Sequence, residues 1–176
     1  MSKNDLSITI TVVAFFYVLI GAIIMTTEVD LYKEFKKTLL ASHVAERVEN
    51  KCASGMPDVY VKSNLGSNFW IENKICNWDE VINIRPSQII WHLEHTLRYN
   101  CKSFVLIAEN KEIKRNYFFL DMSQLTYENY KKLYRPKTLK QLSEMQVKYN
   151  KKKFFWGVYP NMSSLQSDLL SIVDEF

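Results

Sequence analysis

Residues Gly55 to Lys74 read GMPDVYVKSNLGSNFWIENK, two short runs of alternating apolar and polar residues joined by Asn64, Leu65 and Gly66. A period of two is that of a β-strand, whose successive side chains leave on opposite faces. The Asn-Leu-Gly link suits a three-residue hairpin loop with glycine in the left-handed position. Pairing Ser63 with Ser67 puts Val59, Val61, Phe69 and Ile71 on one face and Asp58, Tyr60, Lys62, Trp70, Glu72 and Lys74 on the other. Asp58 then lies opposite Glu72, with Lys74 one step further along. Two carboxylates and an ammonium on one sheet face constrain everything built around them. Like charges that close must be neutralised, or one of them must keep its proton.

The flanking sequence supplies elements for such a hairpin to pack against. Leu31, Phe35 and Leu39 predict a short amphipathic helix with Asp30 as its amino-terminal cap. Alternation from about Val44 to Glu49 predicts a strand. Pro86 opens a helix running to about Asn100, with Ile90, Leu93 and Leu97 as its core-facing stripe and Gln88, Trp91, His92 and His95 elsewhere around it. The apolar run SFVLIAEN predicts a strand buried on both faces, and Asn110-Lys111 turns the chain into another from about Lys114 to Leu120. The core order is helix, three strands, helix, strand, an α/β arrangement with a mixed sheet flanked by helices. Helices are expected over about Ser123 to Leu133 and Leu139 to Tyr149, followed by a strand FFWGVY and a terminal helix from about Ser163. No repeat or linker divides these pieces. At 176 residues, with 47% apolar and 24% charged composition, the chain suits one ordinary core with some extra length.

Residues 6–27 carry no charge. As a helix they would run roughly 33 Å, enough to cross a bilayer. Only Lys3 precedes the run and no small-x-small site follows it, so a retained membrane anchor is expected rather than a cleaved signal. Lys33, Lys36 and Lys37 on its carboxyl side favour a body in the cytoplasm. Residues 1–29 are thus read as the hydrophobic segment, 30–122 as the core and 123–176 as a basic, largely helical extension packed on it. Between Lys131 and Lys153 nine lysines and arginines face the single acid Glu144, which points to a polyanionic partner. Lys131, Lys132, Arg135, Lys137, Lys151, Lys152 and Lys153 are its candidate contacts, and His92, one turn after Gln88, is a further candidate phosphate contact. Three cysteines without a CxxC spacing suit reduced thiols and no zinc site. The absence of a Gly-x-Ser-x-Gly motif and of a phosphate-cradling glycine loop leaves serine hydrolase and nucleotide-dependent chemistry without support.

Asp58 and Glu72 offer hard oxygen ligands suited to Mg²⁺ or Mn²⁺, and the Asn73 backbone carbonyl would add another from the same strand edge. Lys74 beside them could position a metal-bound water or stabilise charge building on a phosphate. Those parts suit phosphodiester hydrolysis. The segments HVAERVEN, SGMPDVYV, NFWIENK, RPSQIIWHLEH and SFVLIA together resemble the PD-(D/E)xK nuclease superfamily, and within it the VRR-NUC and phage Holliday-junction-resolvase-like branch. The likeness spans roughly His43 to Ile107 and rests on Pro57-Asp58, Glu72-x-Lys74 and Gln88 in combination.

The resemblance implies a restriction-endonuclease-like core. It also implies that Asp58 and Glu72 bind metal, that Lys74 is catalytic, and that Gln88 lies near the lysine or the scissile phosphate. Glu49 would be an additional metal or water-positioning ligand, with Glu46 as its competitor. The expected activity is a metal-dependent endodeoxyribonuclease, in one form a phage Holliday junction resolvase acting on branched DNA. Alternatives are a homing or host-DNA-degrading enzyme on linear duplex, and a membrane-anchored nucleic-acid-binding protein without catalysis. A homodimer is expected because junction cleavage needs two sites. The hydrophobic segment and the basic extension depart from the shared pattern.

Overall fold

The structure, a computed structural model, describes residues 27–48, 54–64, 66–111, 114–126, 128, 137–149 and 155–174. Its elements are α1 (Glu28–Thr38), β1 (His43–Arg47), β2 (Val59–Ser63), β3 (Phe69–Cys76), α2 (Pro86–Tyr99), β4 (Lys102–Glu109), β5 (Tyr117–Asp121), a 3₁₀ turn (Met122–Gln124), α3 (Leu139–Tyr149), β6 (Phe155–Tyr159) and α4 (Met162–Asp174). The six strands form one sheet in chain order. All neighbours run antiparallel except β3 and β4, which are parallel and joined by α2. A parallel pair cannot be closed by a tight turn, so a helix must cross one face of the sheet between its strands. That requirement puts α2 over β3 and β4.

Each face of the sheet buries its own apolar cluster. On the first, Leu31 and Phe35 of α1 and Leu165 and Leu169 of α4 pack on Val59, Val61, Phe69, Ile71, Phe104, Leu106 and Phe119. On the second, Ile89 and Leu93 of α2 and Leu139 and Leu142 of α3 pack on Val105, Ile107, Phe118 and Leu120. Strand β4 lies between the two layers with residues 103–109 all buried, as its unbroken apolar run requires. The last segment of the chain belongs to this core. β6 pairs with β5, with a register irregularity between Phe118 and Leu120. The Gln166 side chain donates to the Phe35 carbonyl at 2.6 Å, and Lys102 Nζ donates to the Ile172 and Val173 carbonyls at 2.6 and 3.2 Å, closing the end of α4.

The structure corrects four local expectations. Thr27, not Asp30, caps α1; its hydroxyl accepts from the Asp30 N–H. The last strand of the core starts at Tyr117 rather than Lys114, because Lys114 takes a left-handed φ of 53° that breaks an extended run. After β5 the chain makes a 3₁₀ turn, and most of the helix expected up to Leu133 lies outside the described residues. The inward face of α2 is Gln88, Ile89, Trp91, His92 and Leu93, whereas Ile90 and Leu97 of the expected stripe are about half exposed, at 50% and 49%. Gln88 faces inward because the sheet beneath α2 carries Glu72, to which its amide donates. No helix among the described residues is long and apolar enough to cross a membrane, and residues 6–26 lie outside them.

Leu165 is fully buried in the first cluster. Leu165→Ala is expected to cost about 2–5 kcal/mol in urea unfolding while keeping a single transition. A second, separate transition in the wild type would show that the carboxyl-terminal segment is not part of the common core.

Candidate active site

The hairpin register is the one read from the sequence. Val59 pairs with Ile71, Tyr60 with Trp70 and Val61 with Phe69, which by extension sets Asp58 across from Glu72. Gly66 closes the link at φ +92°, its N–H donating to the Ser63 carbonyl at 3.1 Å. Asp58 stands just before β2. Its Oδ2 accepts from the Asn73 N–H at 3.2 Å, and its carbonyl accepts from the Val48 N–H at 2.7 Å. Within a strand the N–H and C=O of one residue point to the same neighbour, so the Asn73 carbonyl is turned to the Asp58 side as well.

Glu72 is the centre of the cluster. Its side chain is 1% exposed, and its Oε1 accepts from Lys74 Nζ at 2.5 Å and from Gln88 Nε2. Its Oε2 is buried and has no hydrogen-bond partner among the described residues. Lys74, at 12% exposure, also reaches Glu28 Oε1 at 3.2 Å, and Glu28 is half exposed at the start of α1. The cluster therefore steps from the interior at Glu72, through Lys74, to the surface at Glu28.

Gln88 is held as firmly as the group it holds. It is fully buried, and its Oε1 accepts from the Arg85 N–H at 2.8 Å, so its amide nitrogen is aimed at Glu72. The segment before Asp58 braces that end of α2. Gly55 has φ +87°, and a Cβ there would lie 2.1 Å from the Ser87 carbonyl oxygen and 2.9 Å from the Gln88 nitrogen. Only glycine permits both the backbone angle and the approach. The Gly55-Met56-Pro57 lead into Asp58 thus touches the turn of α2 that carries Gln88.

Electrostatics follow from burial. Burial pushes the Glu72 carboxyl up to about 7; Lys74 opposes the shift, and Asp58 and Glu28 add to it. For Lys74, burial pulls downward, but the charges of Glu72, Glu28 and Asp58 prevail and hold the ammonium above its ordinary value. We take Lys74 as charged and Glu72 as the group that titrates near neutrality. The ionised cluster carries three carboxylates and one ammonium, and it gains from any further cation.

The structure thus brings together Asp58, Asn73, Glu72, Lys74 and Gln88 and adds Glu28. The acid on α1 was missed because its helical position reads equally well as a favourable charge in a first turn. The competitor Glu46 is half exposed on β1 and paired with Lys62 at 2.9 Å. Glu49, Lys131, Lys132, Arg135, Lys151, Lys152 and Lys153 lie outside the described residues. Lys137 is half-buried, and its carbonyl accepts from the Ile82 N–H beside the Val81–Thr138 bridge. His92 is corrected outright. It is fully buried, its ring nitrogens have no hydrogen-bond partner among the described residues, and burial, aided by His95, pulls its pKa down to about 3, so it is a neutral core residue rather than a surface phosphate contact.

A hard divalent cation fits the donor set in part. Glu72 Oε2 is an orphaned buried oxygen, and Asp58 and the Asn73 carbonyl are oxygen donors on the same strand edge. Among the described residues no three His, Cys, Asp or Glu side chains converge on one ion, so water and substrate oxygens would complete the shell.

No protein-family model matches the chain, and no curated protein is similar to it. Among solved structures it is similar to the 1.6 Å structure of Hjc, a Holliday junction resolvase from the archaeal hyperthermophile Archaeoglobus fulgidus. The two share 17% identity with a TM-score of 0.41, over 65% of this chain and 95% of that one.

Without metal, the raised pKa of Glu72 lowers stability as pH rises. Between the unfolded value of 4.5 and the folded value of about 7 the native state holds the extra proton, so unfolding becomes easier through that window, by roughly 3 kcal/mol in all. In chelator, Glu72→Gln is expected to flatten that decline and to melt above the wild type at pH 8. Parallel pH profiles for the two proteins would refute the assignment.

Proposed function

We propose that this chain is a metal-dependent endodeoxyribonuclease of the PD-(D/E)xK type, hydrolysing DNA phosphodiester bonds, with branched DNA as its substrate. The observation that carries the reading is the buried Glu72 carboxylate. One oxygen is fixed by Lys74 and Gln88, the other has no partner among the described residues, and Asp58 stands at the entry of the adjacent strand. An ordinary structural ion pair would satisfy both oxygens, because an unsatisfied buried carboxylate oxygen is costly. The motif likeness over His43 to Ile107 points the same way.

Asp58, Glu72 and the Asn73 carbonyl would hold Mg²⁺ or Mn²⁺, which would supply Lewis-acid charge at the phosphate and lower the pKa of a bound water. The chain's own groups have distinct tasks. Gln88 and Lys74 fix the rotation of the Glu72 carboxyl, so that Oε2 is the oxygen available for coordination. Lys74 keeps its proton and offers positive charge to the phosphate oxygens as negative charge grows on them. Glu28 holds the lysine from the solvent side and limits its swing. Lys74 reaches Glu72 from its own strand β3 and Gln88 from α2, and Asp58 is half-buried at the entry of the adjacent strand.

With Mg²⁺, Asp58→Asn is expected to lower cleavage of a four-way junction by more than about 100-fold, consistent with several kcal/mol of lost charge stabilisation. It should also abolish the rise in melting temperature that Mg²⁺ gives the wild type. Wild-type cleavage by the variant would overturn the mechanism, and preference for linear duplex over the junction would overturn the branched substrate.

We propose further that the amino-terminal run is a tether with the body on the cytoplasmic side, on the strength of its charge-free length and the lysines after it. After carbonate extraction of membranes the full-length chain is expected in the pellet. Its release into the supernatant would remove the tether.

A further inference from the structure

A run of aromatic rings starts beside the carboxylates. Tyr60 and Trp70 form a cross-strand pair with ring centroids 4.6 Å apart, on the same sheet face as Glu72. Each stands two residues from a candidate ligand, Tyr60 from Asp58 and Trp70 from Glu72, a step of about 6.7 Å along a strand. Trp70 meets Trp91 edge-on at 5.4 Å, Trp91 stacks on His95 at 3.7 Å with planes 14° apart, and His95 leads to Tyr99 at 5.5 Å.

A sealed core covers its aromatic rings, whereas this run does not close. Tyr60, Trp70 and His95 are half-buried and Tyr99 is 68% exposed. α2 lies over β3 and β4, and no helix among the described residues covers the same face of β1 and β2, where Val44, Glu46 and Lys62 are about half exposed. Lys62 lies 6.0 Å from the Tyr60 ring but is paired with Glu46, so charge contributes little here.

We propose that this open face of β1, β2 and β3 is a stacking platform for unpaired bases, so that the candidate active site takes DNA strands with single-stranded nucleotides next to the scissile phosphate. The proposal rests on the nuclease reading for the adjacent site and adds what that site recognises. Duplex DNA presents its bases only as edges in the grooves, whereas a strand at a branch or gap can lay a base flat on Tyr60 or Trp70. Such stacking contributes about 1–3 kcal/mol per base and tolerates any sequence.

The test is binding by the full-length chain in chelator, read by fluorescence anisotropy with labelled oligo(dT) of about 15 nucleotides and a duplex of equal length. Oligo(dT) is expected to bind more tightly than the duplex. Tyr60→Leu should weaken oligo(dT) by about 10-fold, equivalent to about 1.4 kcal/mol, and leave the duplex unchanged, while Tyr60→Phe restores binding. Because Lys62 is paired, the wild-type to Tyr60→Leu ratio should stay constant from about 50 to about 200 mM salt. In the wild type oligo(dT) should quench tryptophan emission, and Trp70→Phe should abolish the quenching. Equal affinity for the two DNAs, equal losses in Tyr60→Leu, or quenching that survives Trp70→Phe would overturn the platform. Oligo(dT) preference without cleavage of any DNA would sink the nuclease reading and leave the platform standing; cleavage without that preference would do the reverse.

Discussion

The cost of keeping a carboxylate inside the sheet, at Glu72, organises this molecule. An ionised group in that position loses most of its hydration and survives only if protein groups replace it. Lys74 replaces it from the same strand and Gln88 from the helix that crosses above. Each of these is itself constrained. Lys74 is tied to Glu28, and Gln88 is tied to the backbone at the start of α2. Side chains that satisfy half a carboxylate and stop there are characteristic of places where stability has been given up for chemistry.

The backbone around the cluster serves the same end. The tight approach of Gly55 to Ser87 and Gln88 packs the start of α2 directly on the entry of β2, next to Asp58. The register between β2 and β3 brings Asp58 to the Asn73 amide, where a side chain takes the place that a strand carbonyl would fill. Apolar packing on both faces then fixes β3 relative to β4. Precision at the cluster comes from strand pairing and one backbone contact, with little contribution from exposed side chains.

Much of this was legible from residue order because strand periodicity is strict. A period of two leaves no freedom about which side chains share a face, so the side-by-side position of Asp58, Glu72 and Lys74 followed from the hairpin alone. The continuous apolar run of β4 likewise has one physical reading. Helices were less legible. On α2 the assumption that apolar residues point inward chose Ile90 and Leu97, whereas the real inner face carries Gln88 and His92 because one of them serves a buried carboxylate. Glu28 was not legible at all. Its partner Lys74 lies 46 positions away, and nothing local distinguishes it from an ordinary first-turn acid.

The wide spacing of these groups along the chain carries a consequence for synthesis and folding. Glu28, Asp58, Glu72 and Gln88 meet only after a hairpin has closed and a crossover has docked, contacts that form late because long loops must be closed first. A ribosome-bound or half-folded chain therefore holds all the reactive side chains and none of their arrangement. The cluster exists as a unit only once the last of these elements has docked, so local unfolding of any one of them would dissolve it.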